Sequence, residues 1–137
     1  MDAREYLRQI AKLDMKINIQ LEDLAMLRTI AEKADSCIYG MPAQGGNPRK
    51  LEDVVIRIVD MEAELNRDID RLSESRREIA KYLDRITDEN CRLVLQMHYI
   101  QGYTVEEIAR RMAYSRSQIY RFNREGLAEL QKIVDGL

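Results

Sequence analysis

From Tyr6 to Ile86, apolar residues return every three or four positions, and this spacing constrains the chain more than any other feature. The first run is Tyr6, Ile10, Leu13, Ile17, Leu24, Leu27 and Ala31, with Gln20 standing where an apolar residue is due and Leu21 beside it. Steps of three and four keep side chains on one side of a helix of 3.6 residues per turn, so one amphipathic helix is expected over about 2–34. The stretch 35–50 then gathers Gly40, Pro42, Gly45, Gly46, Asn47 and Pro48. These residues do not continue a helix cheaply and predict a loop of about 14 to 16 residues. A second helical run follows through Leu51, Val54, Ile58, Met61, Leu65, Ile69, Leu72, Ile79, Leu83 and Ile86. Two successive steps of four about Leu65 resemble a coiled-coil stutter, and Arg76 holds the one seam position that is not apolar.

Two helices of about 35 residues, rising 1.5 Å per residue, reach about 50 Å, whereas a compact globule of this chain length has a radius of gyration of about 14 Å. A lone two-helix hairpin also leaves much of its apolar stripe wet. It is expected to pair with a second copy, or to fold against the helices that follow, and self-association is the preferred outcome.

The chain has 137 residues, 45% of them hydrophobic and 34% charged, which suits one folded domain with an appendage and is too apolar for disorder. Six Gly, two Pro, one Phe and no Trp favour long helices over a many-turned sandwich or barrel, so the expected class is all-α. A net charge of -2 does not announce a nucleic-acid binder, and any basic surface has to be local. Cys37, Cys91 and the single histidine, His98, lack metal-ligand spacing; the cysteines are expected to be inert thiols and His98 a packing or surface residue. Neither a cofactor nor a metal is expected. The opening MDAREYLRQI has no apolar core of a signal peptide, and no apolar run approaches the roughly 18 residues of a membrane span. The expectation is a reduced, cytoplasmic protein without membrane contact.

Beyond Ile86 the pattern shortens. Helices are expected over 88–100, ended by Gln101 and Gly102, then over 104–112, then over 115–134. The expected division is a helical hairpin for oligomerisation over 1–86 and a DNA-binding domain over 87–137. Thr104-Val105-Glu106-Glu107 and Ser115-Arg116-Ser117-Gln118 are both capping-box sequences, which fix two helix starts. Only Ala113 and Tyr114 separate the two helices, the short connection of a helix-turn-helix. Ile108, Met112, Tyr114, Ile119 and Phe122 then form the shared core, and small Ala109 allows a close crossing.

The residues left outward on the last helix are Arg116, Ser117, Gln118, Tyr120, Arg121 and Arg124. Between Arg110 and Arg124 there are five arginines and no acid. Arginine can pair bidentately with guanine and glutamine with adenine, and hydroxyls reach bases or phosphates, all from a helix that fits the major groove. Ser117, Gln118 and Arg121 are expected on base edges and Arg116 on either bases or phosphates. Thr104, Tyr120 and Arg124 are expected on phosphates, with the amides around Ser115 as a further phosphate anchor.

The segment GYTVEEIARRMAYSRSQIYRFNREGLAEL, Gly102 to Leu130, resembles region four of bacterial sigma factors, which reads the -35 promoter element. Leu95, Tyr99 and Gly102 extend the likeness upstream. By this resemblance Arg116, Ser117 and Arg121 fall on promoter-contacting positions. The whole chain, a long hairpin ahead of a sigma-like C-terminus, resembles the small phage transcriptional regulators of the ArpU and RinA type. The segments with which sigma factors bind polymerase and melt the -10 element have no counterpart, which favours an activator or adaptor. Ala113 stands where many such motifs place Gly for a left-handed turn; a right-handed, sigma-like turn is the alternative.

No nucleophile, base and oxyanion donor come together in the sequence, and Gly45-Gly46-Asn47-Pro48-Arg49-Lys50 lacks the ending of a phosphate-binding loop, so no enzyme is expected. The expected function is a sequence-specific double-stranded DNA-binding transcriptional regulator of phage or prophage origin, associating as a homodimer or higher oligomer. Two rivals are an RNA polymerase-binding adaptor without essential DNA readout and a DNA-packaging recognition subunit of the small-terminase kind.

Overall fold

The computed structural model describes the backbone of residues 1–40 and 48–136 and the side chains of residues 1–34 and 50–136. The protein is all-α, with no strand among the described residues. Its helices are α1 (Ala3–Gly40), α2 (Pro48–Leu83), α3 (Glu89–Leu95), α4 (Val105–Met112) and α5 (Arg116–Val134), and α3 runs into a π-helical turn over Gln96–Ile100. None of these helices is long and apolar enough to cross a membrane.

Of the expected loop over 35–50, residues 35–40 and 48–50 are helical, and 41–47 lie outside the described residues. α1 continues to Gly40 and α2 starts at Pro48. A proline at the first position of a helix gives up an N–H that would have no partner there, and glycine is favoured where a helix stops, which suits Pro48 and Gly40 to these two ends. Cys37 lies outside the described side chains.

The described residues form two compact units, Met15–Arg71 and Met1–Asp14 together with Leu72–Leu137. This division differs from a boundary at Ile86, and the reason lies in packing at both ends of the hairpin. Ala3, Leu7 and Ile10 from the first turns of α1, and Leu72, Ile79, Leu83 and Ile86 from the end of α2, are buried in the same unit as the C-terminal helices. The backbone N–H of Ala3 donates to Gln131 Oε1 at 2.7 Å, and Gln131 Nε2 donates to the Met1 carbonyl at 2.7 Å, which ties the chain's start to α5. Arg76 donates to the Ile100 carbonyl at 3.0 Å and lies 3.3 Å from Asp14, so the non-apolar seam position holds the π turn against α1 and α2.

In the other unit α1 and α2 pair through Ile17, Leu24 and Leu65, all buried. The seam departs from the expected track at one place. Asp68, not Ile69, is the buried residue after Leu65, while Ile69 is exposed. The steps Leu65, Asp68, Leu72 are then regular, and the expected stutter is absent. Asp68 is tolerated because three donors surround it: Lys16 at 3.0 Å, Gln20 at 3.0 Å and Arg71 at 3.3 Å. The hydrogen bond from Lys16, then that from Gln20, holds the Asp68 carboxyl below its ordinary range, and the same pairing raises Lys16. Gln20, the break in the first apolar run, is thus the partner of Asp68, the polar residue that takes the seam position expected of Ile69. A buried carboxylate with donors on both helices favours one register over its slipped alternatives, because a slip strands the charge.

Candidate nucleic-acid interface

The helix-turn-helix is built by two caps and one strained residue. Ser115 caps α5 with a complete capping box: Gln118 N–H donates to Ser115 Oγ at 3.2 Å and Ser115 N–H donates to Gln118 Oε1 at 2.9 Å. Thr104 caps α4 by accepting from Glu107 N–H at 3.2 Å. The reciprocal half of that box differs from expectation, because Thr104 Oγ1 donates to Glu107 Oε1 at 3.1 Å. Between the helices Ala113 adopts φ 60 and ψ 39, so the turn is left-handed, as in motifs that place glycine there. For alanine this conformation costs about 1 to 2 kcal/mol, which the packing on either side of the turn has to offset.

That packing is the expected core. Ile108 and Ile119 are fully buried, Phe122 is buried, Met112 and Tyr114 are half-buried, and Ala109 lies at the crossing. Tyr114 packs edge-on against Phe122 with ring centroids 5.1 Å apart, and its hydroxyl accepts from Asn90 Nδ2 at 3.2 Å, which joins the turn to α3. A second crossing falls at Gly126 of α5. A Cβ there would lie 3.1 Å from Leu95 Cδ1 and 3.3 Å from Cys91 Cβ, so α5 approaches α3 more closely than any other residue type permits without a shift. The α3 start is capped by Asp88, which accepts from Asn90 N–H at 2.9 Å and Cys91 N–H at 3.4 Å.

With its inner side held by α3 and α4, α5 turns Arg116, Ser117, Tyr120, Arg121 and Arg124 outward, and all five are exposed. Ser115 and Thr104 are exposed at the two helix starts. Gln118 is placed otherwise. It is half-buried and its amide oxygen accepts the Ser115 N–H, so only its NH2 group remains to contact a ligand, and the bidentate adenine contact needs the cap to open.

Tertiary structure also returns acids to a segment that has none in sequence. Arg116 donates to Glu106 of α4 at 2.6 Å, across the turn. Arg121 lies 3.9 Å from Glu125 and stacks over Phe122 at 5.2 Å from the ring centroid. Among the described residues Arg110 and Arg124 make no ion pair, and Arg111 stacks on the Tyr103 ring at 4.1 Å. The exposed arginines of this segment without an ion pair are thus Arg110, Arg111 and Arg124, with Arg116 and Arg121 partly compensated between them.

His98 is half-buried in the π turn and donates from Nδ1 to the Tyr103 carbonyl at 2.9 Å, which fixes the loop leading into α4. Asp88, Cys91 and Glu125 bring three potential ligand atoms within 4.8 Å of one another. The donor set does not suit a metal, because Asp88 is committed to the cap of α3 and the Cys91 thiol is pushed up to about 11, by burial first and the neighbouring carboxylates second. A metal binds the thiolate, and this environment opposes it.

Among curated proteins and among solved structures, nothing matches the chain. A family model matches residues 35–131, from the end of α1 through α2 and the helix-turn-helix, and it is the model of a protein of unknown function, DUF1492. No sigma region four model or ArpU or RinA model matches. By that match, over more than half of its length, the chain belongs to the DUF1492 family.

Proposed function

We propose that this protein is a sequence-specific, double-stranded DNA-binding transcriptional regulator, of the phage or prophage kind that its sequence resembles. In this reading α5 enters the major groove. The observation that carries the proposal is one helix with two unlike sides. Ile119, Phe122 and Gly126 are buried against α4 and α3, while Arg116, Ser117, Tyr120, Arg121 and Arg124 stand exposed from the first turns after a serine cap. Ser117 and Arg121 read base edges, Arg116 reads bases or phosphates, and Thr104, Tyr120 and Arg124 hold phosphates, with the first-turn amides of Arg116 and Ser117, which the capping box does not use, adding an anion site. The protein acts by binding and not by catalysis, and copies associate through the hairpin, so that a palindromic site has half-sites about 34 Å apart or a multiple of that. RNA polymerase is the second partner of an activator of this kind.

The test is a mobility-shift titration of the full chain on DNA from upstream of its own gene cluster, beside Arg116→Ala with Arg121→Ala. The double variant is expected to lose at least about tenfold in affinity, and wild-type log K is expected to fall with log salt at a slope of about -3 to -4 per protomer. Equal binding by both proteins overturns the proposal. A polymerase complex that survives salt high enough to strip DNA supports the adaptor reading in its place.

A further inference from the structure

Among the described residues, nine of the eleven exposed large apolar side chains lie in the unit Met15–Arg71. Four of the nine, Met15, Ile19, Met26 and Ile30, stand on α1 with 63%, 56%, 64% and 49% of their surface exposed. Their intervals of four, seven and four keep to one side of the helix. This side is not the seam, which runs through Ile17, Gln20, Leu24, Leu27 and Ala31. Exposed Glu22 fills the middle of the seven-residue interval, with Asp23 next to it.

We propose that this outer stripe is the face on which a second copy of the chain docks, α1 against α1, antiparallel about a two-fold axis between Glu22 and Asp23. The proposal rests on the hairpin-mediated association put forward above and names its surface and register. The first argument is size. Four side chains that are half exposed or more leave a stripe of roughly 400 Å², at the level where an apolar patch on a soluble protein marks an interface. Two such stripes with their flanking side chains reach the lower range of specific interfaces, about 1,000 Å².

The second argument is symmetry. The intervals four, seven, four read the same in both directions. Turning a second α1 end for end therefore sets Met15 opposite Ile30 of the partner subunit and Ile19 opposite Met26 of the partner subunit, apolar on apolar at every level. An isologous contact requires this self-complementarity and an unrelated partner does not.

The same register sets like charges together. Glu22 faces Asp23 of the partner subunit at the axis, and Lys12 faces Lys33 of the partner subunit at each end of the stripe. All four residues are exposed. The dimer is held by apolar burial against this repulsion, so salt strengthens it. DNA binding responds in the opposite direction, because salt weakens contacts to phosphate.

The experiment is sedimentation equilibrium on the full chain between about 0.1 and about 1 M salt, where the screening length falls from about 10 to about 3 Å. The expected result is a monomer-dimer equilibrium that tightens several-fold with salt. Ile19→Lys with Met26→Lys should sediment as a monomer with unchanged circular dichroism, and Glu22→Gln should dimerise several-fold more tightly than wild type. In a Cys37→Ser, Cys91→Ala background, Met15→Cys mixed with Ile30→Cys should cross-link, while Met15→Cys alone should not. A wild-type monomer throughout overturns hairpin association itself. A wild-type dimer that the lysine pair leaves intact, or that Glu22→Gln fails to tighten, overturns this face and register and leaves self-association standing.

Discussion

The Arg116 guanidinium reaches back across the helix turn to the Glu106 carboxylate, 2.6 Å away, so the first arginine of the exposed face is held by an acid of the preceding helix. Both side chains are more than half exposed, and such a pair contributes at most about 1 kcal/mol. It is therefore a brake on Arg116 and not a strut of the fold. Glu106→Gln should raise DNA affinity by about two- to fivefold and leave the melting temperature unchanged, as read by fluorescence anisotropy and thermal unfolding. Unchanged affinity would place Arg116 away from DNA.

Arg124 makes no ion pair among the described residues and stands beyond the Ser115 cap on the outward side. Arg124→Ala should weaken binding about equally on all DNA sequences and lower the steepness of the salt dependence by about one unit. Arg121→Ala should instead cost about 1 to 3 kcal/mol on the preferred site and relax the choice of base at one position. Selection of bound sequences from random DNA separates the two.

Ala113 holds φ 60, a conformation that glycine adopts without penalty. Ala113→Gly relieves about 1 to 2 kcal/mol of strain and returns about 0.5 to 1 kcal/mol through the freer unfolded chain, so the variant should be as stable as wild type or more so. Ala113→Val should destabilise, since a β-branched side chain is worse in this region. Denaturant midpoints of the three proteins order the series as Gly, Ala, Val.

At Gly126 an added Cβ comes within 3.1 Å of fully buried Leu95, whose side chain has to shift within a packed core to admit it. Gly126→Ala gains up to about 1 kcal/mol in helix propensity and loses about 1 to 3 kcal/mol to overpacking, so it should be mildly destabilising. Gly126→Leu should separate α5 from α3 and abolish cooperative unfolding, measured by calorimetry.

Asp68 carries a pH dependence of known sign. Its folded carboxyl is held below the ordinary range by Lys16 and then Gln20, so the stability it contributes is present above about pH 4 and is lost as pH falls through the folded value. Lys16, raised by the same pairing, contributes stability below about pH 10.5 that is lost on further rise. Protection of the α1 and α2 amides, taken as exchange relative to the intrinsic rate at each pH, should be lower at about pH 3 than at pH 7 in wild type, and Asp68→Asn should flatten that difference.

How much was legible in the sequence differs from element to element. The starts of α4 and α5 were, because a Ser or Thr followed by Glu or Gln three positions on acts within one turn and needs nothing from afar. The side of α5 that turns inward was legible for the same reason, from the spacing of Ile119 and Phe122. The left-handed turn at Ala113 was not, because its backbone geometry is imposed by two helices crossing, and alanine itself favours the other hand. Gly126 carries no local signal; only the approach of Leu95 and Cys91 explains it.

The sequence by itself determined the helical class, the two long amphipathic runs and the capped pair, since these follow from periodicity and from bonds within a few residues. Tertiary structure alone decided that Asp68 and not Ile69 faces Gln20, that the chain's first turns belong with α5, and that Glu106 restrains Arg116. Each of these joins residues distant in sequence, and a charge or an amide is placed by the partner it finds in space, which no spacing along the chain reveals.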